Sequence, residues 1–215
     1  MVELFIPRLK HLMSKGFTPD IIYDVGAYKG SWTTTMKEIF PKATYYLFEA
    51  NPENKSHLEK FDHFIVLLGS EDFKSKTFYS LLKGCTGDSV YKEQTSHYKE
   101  AKETEMKTLR LDTVIKTYHL KRPNFLKIDV QGSELDVLKG INSEFLNQCE
   151  FIMLETKVLE FNKGSPDLLE ILLCMQRLGY QLYDIMELHY IDNELGEVDL
   201  LFCKINSKYL LKKFS

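Results

Sequence analysis

Short apolar runs alternate with helical patterns along most of this 215-residue chain. That alternation constrains the fold more than any other feature. "DIIYDVG", "ATYYLFEA", "HFIVLLGS", "NFLKIDVQG" and "EFIMLET" read as strands. Between them lie "SWTTTMKEIF", closed by Pro41, "PENKSHLEKF", with Pro52 in its first turn, and "SELDVLKGINSEFL", all patterned as helices. Strands that are apolar nearly throughout belong in a parallel sheet covered on both faces. The expected fold is therefore α/β and doubly wound. "SKTFYSL" adds a short strand, and "DLLEILLCMQRLGY" is a late helix ending at Gly179. "YQLYDIMEL" and "EVDLLFCKI" flank "IDNELGE", which predicts a hairpin that adds antiparallel strands. Ser133 should N-cap its helix with Asp136 completing a capping box, and Asp112 should cap a short helix in "LRLDTVI".

One domain over 1–215 accommodates these elements, with a helix over 1–18 and an irregular stretch over 81–104. A loop that long inside a compact domain suits a lid or substrate loop. The net charge of −3 argues against a general nucleic-acid binder. Four scattered cysteines show no metal-ligand spacing and read as reduced thiols. "MVELFIPRLKHLMSKGF" is too interrupted by charge for a signal peptide or a membrane span. A cytoplasmic location is expected, and homo-oligomerisation is left open.

The first strand exits through "DVGAYKG". Gly26 permits positive φ, and Gly30 allows close backbone approach at the helix start. The spacing is G-x-x-x-G, not the G-x-G-x-x-G that opens a helix N-terminus to a pyrophosphate. Asp24 would repel a pyrophosphate but attract a sulfonium. The second strand ends at Glu49, 23 positions after Gly26, where an acid suits a ribose diol. S-adenosylmethionine satisfies these features together. The expected contacts are Asp24, Gly26, Ala27, Tyr28 and Gly30, then Glu49, Ala50 and Asn51, with Ser70 at the third strand's exit beside Glu71 and Asp72.

These segments carry a resemblance. "DVGAYKGSWT", "FEANPEN", "LRLDTVI", "FLKIDVQGSELDVLKGI" and "LET" follow the order and spacing of the FkbM family of S-adenosylmethionine-dependent O-methyltransferases. The chain resembles that family over about Ile21 to Asp184, except that the family commonly has Asn where this chain has Tyr28. The resemblance implies a Rossmann-like class I methyltransferase fold. Its sheet would have seven mostly parallel strands with an antiparallel C-terminal strand. It also implies methyl transfer to an oxygen of a sugar, glycan or small-molecule metabolite.

In "NFLKIDVQG", period-two alternation puts Lys127 and Asp129 on one face. Charges in an apolar strand need partners, and the open carboxyl end of the sheet is their natural place. Asp129 is the expected acceptor-facing acid, with Glu155 as second candidate and Lys127 holding both by charge. Two or three carboxylates could hold Mg²⁺ with waters, but no histidine joins them, and no metal is expected. His97 and His189 read as surface residues. Two other readings stay open: a nicotinamide-linked dehydrogenase or epimerase, and a non-catalytic cofactor-binding module.

Overall fold

The computed structural model describes residues 2–3, 5–81 and 86–210. At the centre of the main sheet lies β2 (Ile21–Val25), parallel to β3 (Thr44–Glu49) on one side and to β8 (Phe125–Ile128) on the other. β4 (Asp62–Ile65) continues beyond β3, and β9 (Phe151–Lys157) beyond β8, both again parallel. β11 (Glu194–Lys204) runs antiparallel to β9, and β10 (Tyr180–Ile191) antiparallel to β11. A two-residue β1 (Val2–Glu3) pairs with β10. The order is β1-β10-β11-β9-β8-β2-β3-β4. The mostly parallel seven-stranded sheet with an antiparallel C-terminal strand is therefore present, with β1 as a short eighth strand. Successive strands wind outward from β2 in opposite directions, so the β2–β8 boundary is the topological switch point, where such sheets bind ligands.

Alternating side chains feed two cores, one on each face. Tyr23, Val25, Ile128 and Leu154 pack with α4 (Leu111–Tyr118), α5 (Glu134–Lys139), α6 (Ser143–Leu146) and α7 (Leu168–Arg177). Ile22, Phe125, Met153 and Leu201 pack with α1 (Phe5–Ser14), α2 (Ser31–Ile39) and α3 (Lys55–Leu58). The N-terminal helix is thus shorter than 1–18. No helix of the described residues is long and apolar enough to cross a membrane. Cys149, Cys174 and Cys203 are free thiols; Cys85 lies outside the described residues.

Several local expectations change. "HFIVLLGS" is not one strand. β4 stops at Ile65, and Leu67–Leu68 form β5, which joins a separate three-stranded sheet with β7 (Lys102–Leu109) and β6 (Ser75–Ser80). β7 escaped notice because "KETEMKTL" is rich in Lys and Glu, which are depleted in strands. In the 81–104 stretch, Ser89 bridges to Tyr79, Glu93 bridges to Asn162, and Ser96–Glu100 form a 3-10 turn. Residues 82–85 of that stretch lie outside the described residues.

Ser133 makes no cap bond; its hydroxyl donates to Val130 O at 3.3 Å, and Asp136 pairs with Lys76 at 3.5 Å. Glu134 serves the turn instead, accepting from Val130 N and Gly132 N at 3.0 and 3.1 Å. Asp112 lies inside the first turn of α4, accepting from Asn142 N at 3.0 Å and the Arg110 guanidinium at 3.2 Å. A reciprocal capping box does exist at α7, between Asp167 and Glu170. Asp167→Ala should lower stability by about 1 kcal/mol, read as a lower urea midpoint with unchanged slope.

Candidate active site

A cavity of about 510 Å³ opens at the carboxyl ends of β2, β3, β8 and β9. Its floor rests on a buried ammonium. Lys127 Nζ lies 3.2 Å from Asp24 Oδ1 and 3.2 Å from Asp129 Oδ2, and 3.4 Å from Gly26 O. The ammonium also sits 5.5 Å from the Trp32 ring centroid, within cation–π range. Burial works against its charge, but Asp24 and Asp129 hold Lys127 above its usual pKa.

Asp24 is fully buried, and its second oxygen accepts from Thr33 Oγ1 at 2.7 Å. It does not line the cavity. Its partners are the Lys127 ammonium and α2, because a carboxylate at that depth requires pairing inside the protein. Gly26 takes φ 78°, and a Cβ there would lie 1.7 Å from Asp129 O. The strand exits of β2 and β8 cross so closely that only glycine fits. Gly30 has φ 76°, but its close neighbour is the Phe61 ring, where a Cβ would meet Cε2 at 2.6 Å. It seats α2 and is not on the cavity wall.

At one end of the cavity stands Glu49. Its carboxylate accepts from Tyr28 N at 2.7 Å, Asn51 N at 2.8 Å and Asn54 Nδ2 at 3.3 Å. Burial pushes its pKa up to about 7, against the pull of these donors. Ala27, Tyr28 and Ala50 line the cavity beside it. Asn51 acts from behind, donating to Asp88 Oδ2 at 2.7 Å. Val66, Leu67, Phe78 and Val90 give the cavity apolar wall, with Val66 beside Glu49, whose carbonyl accepts from Val66 N. Ser70 is off the wall, because the chain leaves the main sheet after β4: Val66 N bonds Glu49 O, and Gly69 N bonds Leu109 O. Glu71 pairs with exposed Lys74, and Asp72 accepts from Arg110 N and Thr113 Oγ1. The acid on this wall is Asp88.

The other end is a charged ladder across four strands. Glu155 on β9 lies directly opposite Asp199 on β11, and Lys157 opposite Glu197. Glu187 on β10 faces Asp199, and His189 faces Glu197. Directly opposed side chains sit about 5 Å apart at Cβ and interact strongly. Gln131, at φ 55° in the turn after β8, knits the ladder to Asp129. Its Nε2 donates to Asp129 Oδ1 at 3.1 Å and Glu155 Oε2 at 2.6 Å, and its Oε1 accepts from Lys157 at 2.8 Å. Lys157 also reaches Glu155 Oε2 at 3.0 Å and Glu197.

The two central carboxyls are driven apart. Burial pushes Asp129 up, but Lys127 and Lys157 more than offset it and hold it below the usual range. Burial and the Asp129 charge push Glu155 well above that range. Neighbouring carboxyls in unlike surroundings titrate apart and suit different roles in proton transfer. His189, expected at the surface, lines the cavity, and the Asp199 carboxylate, 3.8 Å from its Nε2, holds the imidazole above its usual value.

The structure therefore brings Lys127, Asp129 and Glu155 together and adds Gln131, Lys157, Glu187, His189, Glu197 and Asp199. A signal for Asp199 existed in "EVDLLF", where Glu197 and Asp199 share a face of an apolar strand, as Lys127 and Asp129 do.

Residues 24–182 match the methyltransferase FkbM domain. The chain belongs to the FkbM methyltransferase family. The hexuronic acid methyltransferase AglP of Haloferax volcanii is 27% identical, over 68% of this chain and 60% of that protein. The 2-O-methyltransferase NoeI of Sinorhizobium fredii is 27% identical, over 72% of this chain and 70% of that protein. The chain thus spans 60% to 70% of the length of these two curated relatives. Among solved structures, a methyltransferase FkbM from Methylobacillus flagellatus superposes with TM-score 0.53 at 14% identity, over 84% of this chain and 43% of that one, which supports the class I methyltransferase fold.

The crossing at Gly26 is shared by both ends of the FkbM cavity. Gly26→Ala should destabilise by about 3 kcal/mol, from overpacking and left-handed strain together, measured by urea unfolding.

Proposed function

We propose that the chain is an S-adenosylmethionine-dependent O-methyltransferase acting on a hydroxyl of a sugar, glycan or small metabolite. The observation that carries this reading is the two-ended cavity at the switch point. Glu49 stands at one end, and the Asp129–Gln131–Glu155 cluster stands at the other. AglP and NoeI, by name a hexuronic acid methyltransferase and a 2-O-methyltransferase, favour oxygen as the acceptor and support a carbohydrate.

The residues present fit the cofactor. Glu49 is buried to 6% exposure, and its three accepted bonds leave about one lone-pair site, on Oε2, which suits a ribose hydroxyl. The apolar wall of Val66, Leu67 and Phe78 suits an adenine, and Asp88 is the carboxylate placed to accept from its amino group. The acidic end favours a positive sulfur. When bound, the cofactor supplies a methyl group on that sulfur. Asp129, ionised and about a third exposed on its side chain, takes the acceptor's proton. Lys127 and Gln131 hold Asp129 in place, and Glu155 is the second acid on the acceptor side. Asp129, Glu155, Glu187, Glu197 and Asp199 outnumber Lys127 and Lys157 here, so a neutral hydroxyl compound suits this end better than an anion. The whole chain acts as one domain in this reading, and Ser89, whose Oγ donates to Gln131 O at 2.7 Å, borders the acceptor.

Glu49→Ala should weaken S-adenosylhomocysteine binding roughly 10- to 150-fold, the worth of charged hydrogen bonds of about 1.5–3 kcal/mol. Because the Glu49 carboxyl is raised to about 7, it is mostly neutral at pH 6 and ionised at pH 8. Calorimetric affinity should therefore rise with pH across that window in the wild type and stay flat in Glu49→Gln. Equal affinity for the wild type and Glu49→Ala at pH 8 would remove Glu49 from the site. Asp129→Asn should retain cofactor binding and slow labelled-methyl transfer to sugar acceptors by about 10²–10⁴-fold; full turnover would make Asp129 a scaffold residue.

A further inference from the structure

We propose that Glu155, His189 and Asp199 bind one divalent first-row cation at the acceptor end of the cavity. Each residue offers one ligand atom, and the three atoms lie within 4.8 Å of one another. They come from three adjacent strands, β9, β10 and β11, and all three line the cavity. No local sequence spacing brings them together. From sequence no metal is expected, since no histidine stands near the carboxylates; His189 arrives from β10.

The independent observation is the imidazole itself. His189 Nε2 is shielded from solvent and makes no hydrogen bond. Its nearest carboxylate oxygens are Glu187 Oε2 at 3.5 Å and Asp199 Oδ2 at 3.8 Å. A buried polar atom without a partner costs free energy, and carboxylates gathered around an imidazole nitrogen are an arrangement that a cation can join. A cation between nitrogen and oxygens satisfies both.

The remaining bonds prepare the ligands. Gln131 and Lys157 both hold Glu155 through Oε2, which leaves Oε1 for a metal. Such outer partners orient metal ligands. Two lysines do not neutralise the five carboxylates at this end of the cavity, so a divalent charge is electrostatically welcome. One imidazole nitrogen with two carboxylate oxygens suits Mn²⁺ or Zn²⁺ better than Mg²⁺ or Ca²⁺, which take oxygen sets. Three protein ligands leave positions open, where an acceptor hydroxyl would bind and become more acidic.

This inference stands apart from the cofactor reading, because the metal binds with or without a nucleoside at Glu49. The test is Mn²⁺ alone, added to the metal-free full chain at pH 7.5. Electron paramagnetic resonance should show one bound Mn²⁺ per chain, with spin-echo modulation from a directly coordinated imidazole nitrogen. His189→Gln should abolish that modulation, and both His189→Gln and Asp199→Asn should weaken Mn²⁺ at least tenfold. Glu71→Gln, at an exposed site beside Lys74, should leave Mn²⁺ binding unchanged. If a variant does not fold, the wild-type echo signal still decides. The proposal is overturned by no saturable Mn²⁺ binding below millimolar concentrations, by bound Mn²⁺ without nitrogen modulation, or by undiminished binding in folded His189→Gln.

Discussion

The Lys127 ammonium is the interaction on which the rest of the structure leans. It sits beneath the cavity with 7% of its side chain exposed, between the Asp24 and Asp129 carboxylates and the Gly26 carbonyl. Each of those groups belongs to a different structural task. Asp24 ties β2 to α2 through Thr33. Gly26 carries the turn that brings Tyr28 N to Glu49. Asp129 begins the turn that Gln131 and Glu134 shape. Removing one member of a buried charged set leaves the others unpaired and costs more than the set itself contributes. The same ion therefore holds the switch point of the sheet together and aims the acid that faces the cavity.

The two ends of the cavity are built by different means. At the Glu49 end, backbone donors do most of the work: two N–H groups and one amide grip the carboxylate. Backbone geometry follows from the strand–turn–helix path, so this end is stiff and generic to its fold. At the other end, side chains from β8, β9, β10 and β11 meet in cross-strand register. A register shift between Ile185 and Glu187 on β10 lets Met186 pack in the α1–α3 core while Glu187 and His189 face the cavity. Register shifts of this kind re-aim side chains next to functional sites. An end assembled from four strands can change its chemistry by substitution without disturbing the nucleoside end.

Much of this was legible in the chain. The β2, β3, β8 and β9 runs, the positive φ of Gly26 and the position of Glu49 are local signals, carried within a few residues. Lys127, Asp129 and Glu155 were visible as charges inside apolar strands. Asp24 carried the same signal, but its partner proved to be Lys127, not the cavity. Ser70 was misplaced because a strand-like run, "HFIVLLGS", breaks at Val66, where one backbone bond to Glu49 O redirects the chain. His189 and Asp199 were missed because their meeting with Glu155 depends on antiparallel register between distant segments. No single-segment pattern encodes that register.

A methyltransferase cavity of this kind requires an adenosine to settle at Glu49. The most direct measurement is a crystal structure of the chain with S-adenosylhomocysteine. A ribose hydroxyl should lie within hydrogen-bonding distance of the Glu49 carboxylate, with the adenine against Val66 and Phe78 and the sulfur toward Asp129. A nucleoside bound on any other surface, or lodged in the cavity with its ribose away from Glu49, would contradict it.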